Sequence, residues 1–142
     1  MLDGLRDLAQ ALSIALFGFS SGCAWIAAIV APNTSYDRLD YSRADGHVRL
    51  LLVNASGHVA FVLLAASALA FLSGAVGAGI VGALAAGGFF SNRWTLAPRT
   101  KAEKAPKGIR ARDKTKRVVA VSLTLIFTLV AVIATALAIA RI

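Results

Sequence analysis

The chain has 142 residues, 58% of them hydrophobic and 15% charged, and a mean hydropathy of +0.73. An average soluble domain carries about 25% charged residues, so too little polar surface remains to cover a globule in water, and the same apolar content excludes disorder. The single cysteine excludes an internal disulfide framework and any multi-cysteine metal or iron–sulfur centre. An integral membrane protein with an all-α fold is what remains.

A crossing helix needs about 20 apolar residues to cover about 30 Å of hydrocarbon. No formal charge lies between Asp7 and Asp37, and the first span is placed at about 8–31, with Pro32 expected to close it because proline cannot continue a helix interior. The leading segment carries Asp3 and Asp7 against Arg6, the wrong balance for a signal peptide. Ser21-Gly22-Cys23 resembles a lipoprotein box, but the apolar run continues past it through Val30.

The first loop reads Tyr36-Asp37-Arg38-Leu39-Asp40-Tyr41-Ser42-Arg43-Ala44-Asp45-Gly46-His47. Its three- and four-residue spacings allow a short interfacial helix. Asp40, Asp45 and His47 form only a weak divalent-ion pattern, which Gly46 interrupts.

The next uncharged run, Arg49 to Arg93, is long enough for two helices. Ser73-Gly74-Ala75-Val76-Gly77 is the expected fold-back, since glycine permits tight-turn angles. Spans are therefore placed at about 50–72 and 76–94. In the third span Ala75, Gly79, Ala83 and Gly87 recur every four residues, beside a row of Ala78, Gly82 and Ala86. Small residues let backbones approach closely where lipid supplies no hydrophobic drive. This helix is expected at the centre of the bundle or at a dimer interface. The fourth span, about 118–140, is rich in Val, Leu and Ile, and its Ser122, Thr124 and Thr128 can bond to carbonyls of their own helix.

The connection at 95–117 is basic. Together with Arg93, two residues before it, the region holds Arg99, Lys101, Lys104, Lys107, Arg110, Arg112, Lys114, Lys116 and Arg117, opposed by Glu103 and Asp113. The net charge of that region equals the +8 of the whole chain. Arg38, Arg43 and Arg49 add to the same side, while the other side holds Arg6 and Arg141. By the positive-inside rule both long loops are cytoplasmic and both termini outside. The loop has no aromatic partner beyond Trp94, so nucleic acid is not expected. Anionic headgroups or an acidic protein surface are the expected contacts. Trp94, Phe89 and Phe90 beside Arg93 form an interfacial anchor.

Ionisable groups inside a span are functional candidates. His58 lies eight residues into the second span, about 12 Å deep at about 1.5 Å per residue, with Asn54 one turn earlier. Cys23 and Thr124 stand at similar depths in the first and fourth spans, so the four residues are expected to form one polar layer. A histidine and a thiol suit a soft metal or a proton relay, although two ligands are few and His47 is about 16 Å away along the axis. A histidine hydrogen-bonded to a neighbouring helix is the structural alternative. There is no Gly-x-Ser-x-Gly, phosphate loop, paired intramembrane carboxylate or His-x-x-x-His; no catalytic residue, metal or cofactor is assigned.

Gly18, Phe19, Ala31-Pro32, the stretch Asn92 to Pro98 and the charged linker ending at Arg117 resemble the pattern of an uncharacterised four-span bacterial membrane family. That family is distantly similar to the anthrone-oxygenase-like and CopD-like copper-resistance membrane proteins. The resemblance implies a four-helix fold in a bacterial inner membrane and no established activity, and the chain lacks a second membrane histidine or a methionine-rich copper motif. Two functions follow as expectations. One is a non-catalytic scaffold or accessory subunit that associates with other membrane subunits or with itself. The other is a small oligomeric transporter or proton- or metal-handling protein working through His58, Asn54 and Cys23.

Overall fold

The computed structural model describes residues 2–96 and 110–142, with side chains left aside at 41, 42, 45, 96 and 110–118. Among the described residues all regular structure is helical: α1 (Leu2–Trp25), a π-turn (Ile26–Val30), α2 (Ala31–Arg38), α3 (Tyr41–Ser73), α4 (Val76–Leu96) and α5 (Arg110–Ala140). Three stretches among them are long and apolar enough to cross a membrane, Leu2–Arg38, Gly46–Ser73 and Val119–Ala140, and α4 is a fourth helix of 21 residues. Much of the basic connection at 95–117 lies outside the described residues.

Helix α3 packs on α1 and α4, and α5 packs on α4 and α1, so the four long helices close a ring in chain order. Their buried positions share one period. In α1 and the π-turn these are Gln10, Phe17 and Ala24 with Ser13, Ser20 and Ala27; in α4 and the residue before it they are Ala75, Gly82 and Phe89 with Ala78, Ala85 and Asn92. Leu52, Val59 and Ala66 with Ser56, Leu63 and Ala70 repeat the spacing in α3, as do Thr124, Ala131 and Ala138 with Ala120 and Ala134 in α5. Alternating steps of three and four average 3.5 residues, slightly under the 3.6 of a straight helix, which is the period of left-handed knobs-into-holes packing. Most of these positions are alanine, serine or glycine, as expected where backbones must approach without a hydrophobic drive.

Three sequence expectations change. Pro32 does not end the first helix, which continues to Arg38. Proline lacks an N–H, and its ring collides with the carbonyl four residues back. The turn before it is widened, with the Ala31 N–H bonded to the Ile26 carbonyl five residues earlier. This is π geometry, the single-turn bulge by which a helix takes up such a conflict. Second, the expected loop around 36–47 shrinks to Leu39 and Asp40, and Gly46 is helical. The Asp40 carbonyl accepts from the Arg43 and Ala44 N–H groups, each at 2.9 Å, to start α3. Third, α5 begins at Arg110, eight residues before the apolar run that located it.

The α3–α4 reversal falls inside the expected stretch. Gly74 takes φ +92°, the left-handed region that glycine enters without a Cβ penalty. The Ala75 N–H then bonds to the Ala70 carbonyl at 2.9 Å and the Gly74 N–H to Phe71 at 3.1 Å, a Schellman closure of α3. At the same end the Ile142 carbonyl accepts from the Ala78 N–H at 3.0 Å, satisfying one of the first-turn donors that α4 cannot pair internally.

The α4 ridges are used unequally. Ala75, Gly79, Ala78, Gly82 and Ala86 are buried, whereas Ala83 is half-buried and Gly87 is exposed with nothing within 4 Å of an added Cβ. Four residues exceed a 3.6-residue turn by about 40°, so a strict four-residue row rotates off the packing face after two or three steps. Helix α4 is accordingly one corner of the ring rather than its centre.

Candidate functional site

Two polar layers cross the bundle interior, one near each end of the apolar section. At the reversal end Gln10 of α1, 6% exposed, joins three helices. Its Nε2 donates to the Ala138 carbonyl of α5, and its Oε1 accepts from the Ser73 hydroxyl of α3 at 2.6 Å. One turn outward, Arg141 pairs with Asp7 at 3.1 Å. Asp3, Arg6, Asp7, Gln10, Ser73 and Arg141 line a pocket of about 380 Å³ there. The ion pair is about two-thirds exposed on both sides and contributes little to stability in water.

The second layer is formed by Asn92 of α4 and Thr124 of α5, 1% and 2% exposed. Asn92 Nδ2 donates to Thr124 Oγ1 at 2.7 Å and more weakly to the Ala120 carbonyl at 3.4 Å. The Thr124 hydroxyl donates to that same carbonyl at 2.8 Å. Asn92 Oδ1 and the buried Ser56 Oγ of α3 have no hydrogen-bond partner among the described residues. Ser56 lies seventeen residues from Ser73 and Asn92 eighteen from Gly74, so both stand about 26 Å from the reversal at 1.5 Å per residue.

Between the layers the axis is filled. Phe17 is fully buried, and a Cβ added to Gly82 would overlap the Phe17 ring and the Ser67 hydroxyl. Leu63, Ala66, Ala78, Ala131 and Phe89 continue the same core. The interior hydroxyls are spent locally: Ser20 on Leu16, Ser67 on Leu63 and Thr128 on Thr124 carbonyls, at 2.8, 2.8 and 2.7 Å. Phe127, half-buried, lies over Gly88 with its ring centroid 6.0 Å from that of Phe89.

Of the expected His58–Asn54–Cys23–Thr124 layer, Thr124 lies in the interior. His58 and Asn54 are exposed on the outer face of α3, one turn apart, with the His58 Nδ1–H donating to the Asn54 carbonyl at 2.8 Å. Cys23 is half-buried against the main core. Position along a helix does not fix direction around its axis. The neighbours that do point inward, Ser56 and Asn92, were passed over, as was Gln10. A usable signal existed: each is an uncharged polar residue seven residues from a small or apolar partner in a 3.5-residue pattern, Ser56–Leu63–Ala70 and Ala78–Ala85–Asn92. Among the described residues no three His, Cys, Asp or Glu side chains converge.

Arg93 and Trp94 end the apolar part of α4, both exposed, and Trp94 is 83% exposed. The Arg93 side chain crosses to α3 and lies over Gly57, where an added Cβ would overlap its guanidinium. The remaining basic candidates, Arg99, Lys101, Lys104 and Lys107, lie outside the described residues, as do the side chains of Arg110, Arg112, Lys114, Lys116 and Arg117.

No family model matches the chain, and no curated protein and no solved structure is significantly similar to it.

Proposed function

We propose that the chain is a non-catalytic four-span membrane protein, acting as a scaffold or accessory subunit of a larger complex in a bacterial inner membrane. In this reading both termini are outside and the 95–117 connection is cytoplasmic, where its lysines and arginines meet anionic lipid or an acidic partner. The observation that carries it is the filled axis. Phe17 seated on Gly82 occludes the space between the two polar layers, and among the described residues the buried polar side chains are Gln10, Asn92, serines and threonines, which hold no charge. An alternating-access path needs polar, broken helices at the midplane. The helical ends support four crossings. Asp7 to Trp25 and Val76 to Arg93 each span about 26 Å at 1.5 Å per residue, close to the about 30 Å of hydrocarbon, and α4 is long enough to cross beside the others.

The topology has a direct test. Alkaline phosphatase fused after Ile142 is expected to be active in cells, and fusions within 95–117 inactive; the reverse pattern would invert the orientation. The scaffold reading is tested on the purified protein in liposomes. Proton and divalent-metal flux is expected at the level of empty vesicles, both for the native chain and for His58→Ala. A flux that the native protein supports and His58→Ala abolishes would replace the scaffold with the transport reading.

A further inference from the structure

Outside the core, the α3–α4 groove carries a set of features that helix packing does not require. Gly57 is the floor on which Arg93 rests. Asn54 lies three residues from Gly57 and Phe61 four, so all three share one face of α3, and His58 adjoins them. One turn deeper, Phe61 meets Phe90 of α4 edge-on, ring centroids 5.2 Å apart, and Phe61 remains 63% exposed. Deeper again, three residues from Phe90, Gly87 leaves open space beside the groove. A cation beside Asn54 and His58 therefore sits above an aromatic pair, Phe61 exposed and Phe90 half-buried, and a notch lies below it.

Among the described residues no carboxylate pairs with Arg93. No Asp or Glu occurs between Asp45 and Glu103. Asp37, Asp45 and Asp113 lie eleven or twelve residues beyond Trp25, Gly57 and Thr124 on their own helices, about 16–18 Å further along at 1.5 Å per residue. The exposed Asn54 side chain is bonded to no described residue and offers its amide N–H groups to the groove, while the His58 ring, with Nδ1–H on the Asn54 carbonyl, leaves Nε2 as an acceptor. A guanidinium at the edge of an apolar belt with no carboxylate in reach among the described residues calls for an anion, and guanidinium geometry matches phosphate oxygens in pairs.

We propose that Arg93 and Asn54 form a binding site for the phosphate headgroup of an anionic phospholipid whose acyl chain lies along Phe61, Phe90 and Gly87. The site rests on the reading that the bundle spans a bilayer and adds to it one specific lipid contact, separate from the basic 95–117 connection. Gly57 is the positioning residue: it lets Arg93 lie flat across α3, about one turn from Asn54.

The test uses the full chain carrying Trp25→Phe, which leaves Trp94, beside Arg93, as its one tryptophan. The protein is reconstituted in bilayers of phosphatidylcholine with increasing phosphatidylglycerol, one lipid of each pair brominated, and Trp94 quenching is read as relative occupancy. Brominated phosphatidylglycerol is expected to be favoured about fivefold, the ratio a single well-placed cation supplies at a membrane surface. Arg93→Gln and Gly57→Ala are both expected to remove that preference; Gly57→Ala does so with every charge of the protein retained. Equal quenching by the two lipids in the native background would overturn the site while leaving the membrane reading intact. A preference that survives both substitutions would overturn it equally, assigning selectivity to the basic connection. Absence of quenching by either lipid would place Trp94 outside the bilayer and overturn the site and the membrane reading together.

Discussion

Gly82→Ala is expected to destabilise the bundle by about 1–3 kcal/mol, and Gly82→Leu to prevent its assembly. The added Cβ would overlap both the fully buried Phe17 ring from α1 and the Ser67 hydroxyl from α3. Neither neighbour is the free end of a flexible chain: the ring is enclosed on all sides, and Ser67 Oγ–H is held on the Leu63 carbonyl at 2.8 Å. A close-packed interior cannot yield without moving a helix. Phe17→Ala removes the other half of the contact and is expected to cost about 3–5 kcal/mol through the cavity it leaves. Because the two residues occupy one space, their effects are coupled. Gly82→Ala combined with Phe17→Leu is expected to be more stable than the sum of the single costs allows. Unfolding in mixed micelles titrated with denaturing detergent, followed by helical circular dichroism, measures all of these variants. Additive costs, or a Gly82→Ala chain as stable as the native one, would show that α1 and α4 do not meet at this point.

That contact also marks how far the sequence could be read. Charges marked the apolar part of each helix but not its ends, since the first helix runs on to Arg38, α3 starts at Tyr41 and α5 at Arg110. The reversal at Gly74 was legible for a local reason, since a left-handed turn asks for glycine. Pro32 misled because its local rule, that proline ends helices, is escaped by a π-turn whose cost is met by burial of Ala27 and Ala28 against neighbouring helices. The face of each helix was the harder part. In a soluble protein the inward face is the apolar one, but here both faces are apolar, and size rather than polarity separates them. Gly82, Ala85 and Ala86 turn inward, while Ile80 and Leu84 of the same helix are 50% and 67% exposed. A four-residue row of small residues approximates that face for two turns and then leaves it. His58 drew notice because it is ionisable, yet the inward polar residue of its turn is Ser56.

Asn92 and Thr124 are expected to give three variants in an order that separates alignment from stability. Asn92→Asp replaces an amide that donates to Thr124 Oγ1 with a buried charge that can only accept, and is expected to cost about 3 kcal/mol or more, the penalty for aspartate within a span. Thr124→Val removes the acceptor and leaves the Asn92 amide, already lacking a partner at Oδ1, with only its weak 3.4 Å contact to Ala120; about 1–2 kcal/mol is expected, the penalty of an unsatisfied buried group. Asn92→Leu together with Thr124→Val removes donor and acceptor at once. Apolar replacement of a whole buried polar set is commonly neutral or stabilising, and this double variant is expected within about 1 kcal/mol of the native chain on that ground. What the double variant gives up is registry. Only one vertical alignment of α4 on α5 brings Asn92 to Thr124, whereas alanine faces such as Ala85 and Ala131 tolerate a shift of one turn. Cysteine pairs introduced across α4 and α5 are therefore expected to cross-link at a single register in the native background and at more than one in the double variant. A double variant less stable than Thr124→Val alone would make the layer a source of stability instead, and a single cross-linking register in both backgrounds would assign alignment to Phe127 seated on Gly88.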